Sequence, residues 1–233
     1  MTASIASPLR PYRSAVLVLS AVLSLTGLYY LARPDTIGVF TLARGWQSMT
    51  PGVRSPSMHF LASGVLLALV PVLVARYVCG LRLTDLGLGL GRWREGLVWL
   101  LVGIPLAVLA GWIAAGQPAM RAVYPLQPAI GQDPGAFAAY AAMGFLYYGG
   151  WEVLFRGVLL FGLARYMGEG QANLVQTGLS VTAHFGRAFN ETFSALPAGL
   201  VFGAIALRVR SIWYVALIHW TVGMSMEWFM LME

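Results

Sequence analysis

The sequence has few charged residues. Of its 233 residues only 10% are Asp, Glu, Lys or Arg, whereas 58% are hydrophobic. A soluble globular domain is usually about one-quarter charged, so these charges are too few to cover a water-soluble fold of this length. The composition therefore excludes a soluble cytosolic enzyme and a disordered chain, and it is typical of a multispanning helical membrane protein.

Lysine is absent, and cysteine occurs once, at Cys79. A lone cysteine excludes an intrachain disulfide, and with it a secreted disulfide scaffold. The basic residues are therefore all arginine; they number 15 and give a net charge of +6. They stand in short connections between apolar runs, as they do beside anionic lipid. This distribution favours a lipid bilayer as the partner, and no nucleic-acid partner is predicted.

Long apolar runs are abundant. A membrane span needs roughly 20 mostly apolar residues, and seven segments approach that length. We therefore predict an all-α polytopic membrane protein of about seven transmembrane helices, forming one integral membrane domain over residues 1–233. The predicted spans are Ser14–Ala32, Ser57–Val78, Gly96–Ala115, Ala136–Tyr166, Gln171–Gly186, Ala195–Leu207 and Ile212–Met232.

The arginines also predict an orientation. With the N-terminus in the cytoplasm, nine arginines lie on the inner side and five on the outer side. Arginine-rich connections favour the cytoplasmic face, so we predict a cytoplasmic N-terminus, in what we expect to be a bacterial inner membrane. The connection after the first span is predicted to contain an interfacial helix around Ile37–Met49.

Ionisable residues within the spans are the candidates for function. An ionisable group at mid-bilayer costs about 2.5–3.5 kcal/mol on insertion scales. Glu152 and Arg156 are four residues apart and share one helix face; a purely structural ion pair is one interpretation of them. His59 is expected at a membrane interface, and Glu227 is expected to reach water at the outer end of the last span.

The depths of three ionisable residues favour a functional interpretation. At about 1.5 Å per residue, Glu152 and His184 lie roughly 20 Å from the inner ends of their spans, and His219 roughly 13 Å. We predict that these three side chains share one water-sized polar cavity. Such a group supports acid–base catalysis on a bound water or coordination of zinc, for which two histidines and a carboxylate are a known catalytic set. No cofactor is predicted, and metal dependence stays open.

Three motifs in order carry a family resemblance. WEVLFRG (Trp151–Gly157), SVTAHFG (Ser180–Gly186) and the stretch from Gly199 to Trp220, which ends in His219, resemble the motifs of the CPBP family. This family includes type II CAAX prenyl proteases and bacteriocin-processing and immunity membrane proteins. The resemblance covers residues 80–225 and implies an intramembrane endopeptidase of the glutamate type.

The resemblance also implies roles for individual residues. Glu152 would activate or orient the hydrolytic water, His184 would assist, Arg156 would hold the glutamate helix, and His219 would polarise the scissile carbonyl. The sequence departs from the family pattern at three positions. The first glutamate of the usual pair is Trp151, a Phe is replaced by Ser180, and the Asn credited with oxyanion contact is Gly223.

These departures leave the identity of the general base open. It is Glu152, or Glu191 if that side chain folds inward, or no residue at all. The combination of an aromatic residue before Glu152 with Gly186, Arg187 and Glu191 after His184 resembles a bacterial branch of the family. Glu191 is expected either to cap the sixth span or to point into the cavity, with Arg187 as a possible ion-pair partner.

Two functions follow as hypotheses. The first is hydrolysis of a peptide bond in a membrane-tethered protein or peptide. The second is a non-catalytic relative that acts in immunity, as a chaperone or as a scaffold. A proton-relay transporter is disfavoured because the chain has no internal repeat and no paired broken helices. Neither the substrate nor the oligomeric state follows from the sequence.

Overall fold

The computed structural model describes residues 12–31 and 58–233, and within these ranges it is helical and has no strand. Each of the seven predicted spans corresponds to one helix, so the predicted all-α fold is confirmed. The predicted interfacial helix Ile37–Met49 lies outside the described residues. The seven helices are α1 (Arg13–Leu31), α2 (Met58–Val78), α3 (Trp93–Ala115), α4 (residues 134–167), α5 (Glu169–Thr182), α6 (Phe189–Val209) and α7 (Trp213–Leu231).

The exposed surface of the helices is apolar, as expected for a membrane protein. Four of them, α1, α2, α3 and α6, are long and apolar enough to cross a membrane. Large apolar side chains of α3 are directed away from the protein; Leu101, for example, is 76% exposed. Hydrocarbon can solvate such a surface whereas water cannot. The protein is therefore an integral membrane protein.

Helix α4 is the centre of the bundle. It begins at Pro134, where the Asp133 carboxylate caps the helix by accepting hydrogen bonds from the backbone N–H groups of Gly135 and Ala136. Its middle part, Val153–Phe161, has π-helical hydrogen bonding, and all nine residues of this part are buried. Single π-helical insertions are often found at functional sites. Here the π-helical part begins directly after Glu152.

Helix α5 is too short to cross the bilayer. Its 14 residues span about 21 Å at 1.5 Å per residue, whereas the hydrocarbon core is about 30 Å thick. The prediction that this helix extends to Gly186 was wrong, because a turn follows Thr182. The next helix begins at Phe189 instead of Ala195 and continues through Pro197. Proline is tolerated inside membrane helices, where neighbouring groups satisfy the backbone.

Small residues allow the helices to approach closely. Side chains added at Gly96, Gly103 and Gly111 of α3 would collide with residues of α7. Between α5 and α6, the Gln176 amide donates a hydrogen bond to the carbonyl oxygen of Gly199 at 3.0 Å. Close packing of small residues and hydrogen bonds between helices are what stabilise helix association in lipid. These contacts hold α7 against α3 and α6 against α5.

The connection before α3 holds the start of α7. Backbone bonds join Arg92 N to Val209 O at 2.6 Å and Ile212 N to Gly87 O at 3.0 Å. The indole N–H of Trp213 donates to the carbonyl oxygen of Leu88 at 2.9 Å. These bonds fix the turn between α6 and α7, and therefore the position of His219, which lies two turns further along α7.

Candidate active site

The Glu152–Arg156 pair lies in the interior of the bundle. Arg156 Nη1 donates to Glu152 Oε1 at 3.0 Å, and the two side chains are 3% and 0% exposed. The guanidinium group also lies over the ring of Phe202, 5.6 Å from its centre. A buried carboxylate needs a countercharge because its desolvation is costly, and Arg156 supplies one from the next turn of the same helix.

His219 completes a chain of three charged or polar groups. Its Nδ1 lies 2.7 Å from Glu152 Oε1, the same oxygen that Arg156 contacts. An ionised carboxylate only accepts hydrogen bonds, so Nδ1 carries the proton and donates it to Glu152. The His219 side chain is 24% exposed, whereas Glu152 is fully buried and its Oε2 has no partner in the described part of the chain. The imidazole therefore stands between the carboxylate and open space.

His184 lies in the turn after α5 instead of on the helix. Its Nδ1 is 2.7 Å from the carbonyl oxygen of Ser180. A carbonyl oxygen only accepts, so Nδ1 again carries the proton, and the neutral ring keeps a lone pair on Nε2. The ring of Trp151, which replaces the first family glutamate, packs against that of His184 with 5.0 Å between ring centres.

One cavity brings the predicted residues together. It has a volume of about 440 Å³, and its wall includes Arg156, His184, Glu191 and His219. The prediction of a water-sized cavity was therefore wrong, because the space is large enough for part of a peptide. Glu152 itself is not on the wall and lies behind His219. The predicted convergence is present, with Glu152 one layer further from the cavity than expected.

Glu191 reaches the cavity from the first turn of α6. The possible pair with Arg187 is present, with Arg187 Nη1 2.8 Å from Glu191 Oε1. The Tyr124 hydroxyl accepts a hydrogen bond from Arg187 at 3.0 Å and donates to Glu191 at 3.4 Å. Burial raises the pKa of the Tyr124 hydroxyl well above its ordinary value, an effect that Arg187 only partly offsets. Tyr124 therefore keeps its proton and remains a donor.

Tyr148 is a cavity residue that sequence reasoning missed. It lines the cavity, its ring lies edge-on to His219 with 5.0 Å between centres, and its hydroxyl contacts the position that a Cβ on residue 223 would occupy. The family pattern has Asn at that position, and this chain has Gly223. The replacement of the Asn by glycine was the only sign in the sequence that another side chain fills this space.

The part of the chain that contains most of these residues matches a known family. Residues 133–224 match the family model of the type II CAAX prenyl endopeptidases described as Rce1-like. This stretch, the Rce1-like segment, is similar to that family. It contains all three motifs, so the predicted family resemblance is confirmed over this part of the chain, and a protease-like membrane protein is supported at the level of the family. No curated protein and no solved structure matches the chain significantly.

One prediction about the surroundings of the Rce1-like segment was wrong. Glu227 was expected to reach water, but it is 1% exposed because Tyr140 and the backbone of Leu126 cover it. His59 lies at the start of α2, beside Tyr147, and lines a second cavity. Within residues 12–31 and 58–233, no three His, Cys, Asp or Glu side chains have the mutual spacing of a metal site.

Proposed function

We propose that the protein is an intramembrane endopeptidase that hydrolyses a peptide bond of a membrane-tethered protein or peptide. One observation carries the proposal: within the Rce1-like segment, a buried glutamate is hydrogen-bonded at 2.7 Å to a histidine on the wall of a cavity of about 440 Å³. This is the arrangement in which a carboxylate orients an imidazole for proton transfer.

In this proposal His219 is the group that moves the proton. A water molecule in the cavity loses a proton to His219 Nε2 while its oxygen attacks the scissile carbonyl carbon. Glu152 acts as a positioning residue: it holds the imidazole through Nδ1 and stabilises the imidazolium that forms. Arg156 supplies the countercharge of the Glu152 carboxylate. When the tetrahedral intermediate collapses, the C–N bond breaks and His219 returns the proton to the leaving amine.

His184 and Glu191 are proposed to hold the attacking water. Nε2 of neutral His184 accepts a hydrogen bond, because Nδ1 is occupied by Ser180. A water molecule has two O–H groups, and one of them points to His219 Nε2. Glu191, the one carboxylate that lines this cavity in the described ranges, shares the other O–H group with His184. The bond from Arg187 fixes the position of this carboxylate. This division of roles assigns water binding to Glu191 and proton transfer to His219.

Tyr148 is proposed to stabilise the oxyanion. Acyl transfer requires a hydrogen-bond donor near the carbonyl oxygen that becomes negatively charged. The Tyr148 hydroxyl has no hydrogen-bond partner among the described residues, and it lies beside His219 and against Gly223. It therefore supplies a donor in the region where the family pattern has Asn.

The proposal is tested by comparing membrane-protein termini by mass spectrometry. Cells would carry the wild type, a deletion, Glu152→Gln, His219→Gln, or Glu95→Gln, a substitution at an exposed carboxylate on the opposite side of the bundle. We expect a processed terminus with the wild type and Glu95→Gln that is lost in the other three. If all five strains have the same termini while the protein is expressed, the protein is not an endopeptidase, and the non-catalytic alternative replaces the proposal.

A further inference from the structure

A second cavity lies beside the first. It has a volume of about 510 Å³, and Tyr124 and Tyr148 line both cavities. The rest of its wall comes from the connection between α3 and α4, from the start of α2, from Tyr147 of α4, from the turn between α5 and α6 and from the end of α7. Volumes of about 300–1,000 Å³ are usual for ligand pockets. None of the proposed chemical steps uses this space.

Glu227 on its wall is a buried carboxylate with a free oxygen. Oε2 accepts hydrogen bonds from the Tyr140 hydroxyl at 2.9 Å and from Leu126 N at 3.1 Å. Oε1 has no partner, and no basic side chain in the described part of the chain forms an ion pair with Glu227. Arg187 lines the same cavity, but its guanidinium group is bonded to Glu191, Tyr124 and Tyr147.

Gln127 adds an unused donor. This residue is 3% exposed, its Nε2 has no hydrogen-bond partner among the described residues, and it lines the same cavity as Glu227. Buried polar atoms are satisfied in the great majority of cases, and each exception needs an explanation. Here one wall has both a carboxylate oxygen without a donor and an amide N–H group without an acceptor.

A basic residue of a peptide satisfies both groups. Its ammonium or guanidinium group donates to Glu227 Oε1 and neutralises the carboxylate, and a backbone carbonyl of the same peptide accepts from Gln127 Nε2. We propose that the second cavity binds a Lys or Arg residue of the peptide substrate. The substrate role rests on the proposed endopeptidase function. Because Tyr124 and Tyr148 separate the cavities, this basic residue would flank the scissile bond.

The test measures binding and does not require cleavage. The full chain, purified in detergent, is titrated with N-acetyl-argininamide and with N-acetyl-citrullinamide, which has an uncharged side chain of the same length. We expect the wild type to prefer the arginine compound by about tenfold or more, as for a hydrogen bond to a charged group. Glu227→Gln should remove the preference, because glutamine still accepts from Tyr140 and Leu126 but has no charge.

Two matched variants complete the experiment. Glu233→Gln changes an exposed carboxylate near the same end of α7 and should keep the preference. Gln127→Ala should weaken the binding of both compounds equally, since both have the carbonyl group that accepts from Gln127 Nε2. The proposal is overturned if the wild type binds both compounds equally or if Glu227→Gln, eluting as the same monodisperse species, keeps the preference. If the preference depends on Glu227 while no processed terminus is found in cells, the cation pocket stands and the endopeptidase proposal fails.

Discussion

Gly223 and Tyr148 are coupled by their contact. A Cβ on residue 223 would collide with the Tyr148 hydroxyl and with the ring carbon that bears it. We expect Gly223→Ala to destabilise the protein by about 1–3 kcal/mol, the usual cost of overpacking. In a Tyr148→Ala background the same substitution should cost much less, because the colliding atoms are gone. Thermal unfolding of the four proteins in detergent measures this coupling.

Gly178→Ala is the control for this comparison of four proteins. It lies inside α5, and a Cβ added there meets no atom within 4 Å. Gly178→Ala should therefore be neutral or slightly stabilising, since alanine has the higher helix propensity. Equal losses from Gly223→Ala in both backgrounds would mean that Tyr148 does not fill the space beside residue 223.

Replacing Tyr148 by Phe removes the hydroxyl group and keeps the ring, so it tests the catalytic role of the hydroxyl separately from the packing of the side chain. We expect Tyr148→Phe to lower kcat by roughly 10²–10³, as removal of one oxyanion donor does, while KM and the melting temperature stay close to those of the wild type. Tyr166→Phe is the control, because Tyr166 is 44% exposed near the end of α4. The assay is cleavage of the substrate that the comparison of termini identifies. A variant as active as the wild type would exclude Tyr148 as the oxyanion donor.

At the scale of whole elements, the sequence predicted the existence of every long helix but not all their ends. Apolar runs bounded by arginine, glycine and proline are local features, and they are sufficient to place seven helices. The turn between α5 and α6 is different because Arg187, within it, bonds to Tyr124 and Tyr147, which are distant in sequence. Contacts of this kind carry no local pattern, and for this reason the ends at Thr182 and Phe189 were missed.

The residues of the candidate site, like the helices, were predictable from the sequence only in part. Glu152, His184 and His219 were found because ionisable groups at membrane depth are costly and therefore meet in polar cavities. Burial of Glu152 behind His219 depends on how α7 packs on α4, and burial of Glu227 depends on Tyr140 and Leu126. Tyr148 was missed because a tyrosine in an apolar run is indistinguishable from an ordinary core residue.

The connection before α3 gives a prediction about an element. Gly91 has a φ of 54°, and a Cβ there would collide with the carbonyl oxygens of Val209 and Arg210. Backbone atoms cannot move aside as a side chain can, so Gly91→Ala should separate the connection from the α6–α7 turn. We expect a loss of stability well above the roughly 1–2 kcal/mol that a left-handed backbone costs a non-glycine residue.

Gly80→Ala measures the loss of stability that comes from backbone strain alone. Its φ is 71°, and the nearest atom to an added Cβ is a side-chain nitrogen of Arg13 at an ordinary 3.8 Å. Gly80→Ala should therefore cost only the roughly 1–2 kcal/mol of backbone strain. If Gly91→Ala and Gly80→Ala lower the melting temperature equally, the carbonyl oxygens near Gly91 do not exclude a side chain at residue 91.

For the molecule as a whole, the two cavities determine the face from which a substrate enters. The first cavity is lined by Gln117, Tyr124 and Asn190, and the second by Val123 and Gln127. Most of these residues belong to the connection between α3 and α4, which lies at the opposite end of α3 from the arginine-rich connection before it. Both cavities therefore lie toward the face on which the connection between α3 and α4 lies, and we expect them to open there.

The arginine bias predicts that this face is the outer one, and labelling of single cysteines tests it. Leu90 is 68% exposed in the connection before α3, and Gln132 is exposed in the connection before α4. In intact cells whose outer membrane has been made permeable, a membrane-impermeant maleimide should label Gln132→Cys and not Leu90→Cys. Native Cys79 is buried and fully covered, and it should stay unlabelled in both variants.

The labelling result bears directly on the proposed chemistry. If Gln132→Cys is labelled and Leu90→Cys is labelled only after the inner membrane is broken, the cavities open outward. The enzyme would then cleave substrates on the outer face of the membrane, after their translocation. The reverse pattern would contradict the predicted cytoplasmic N-terminus and would move cleavage to the cytoplasmic face.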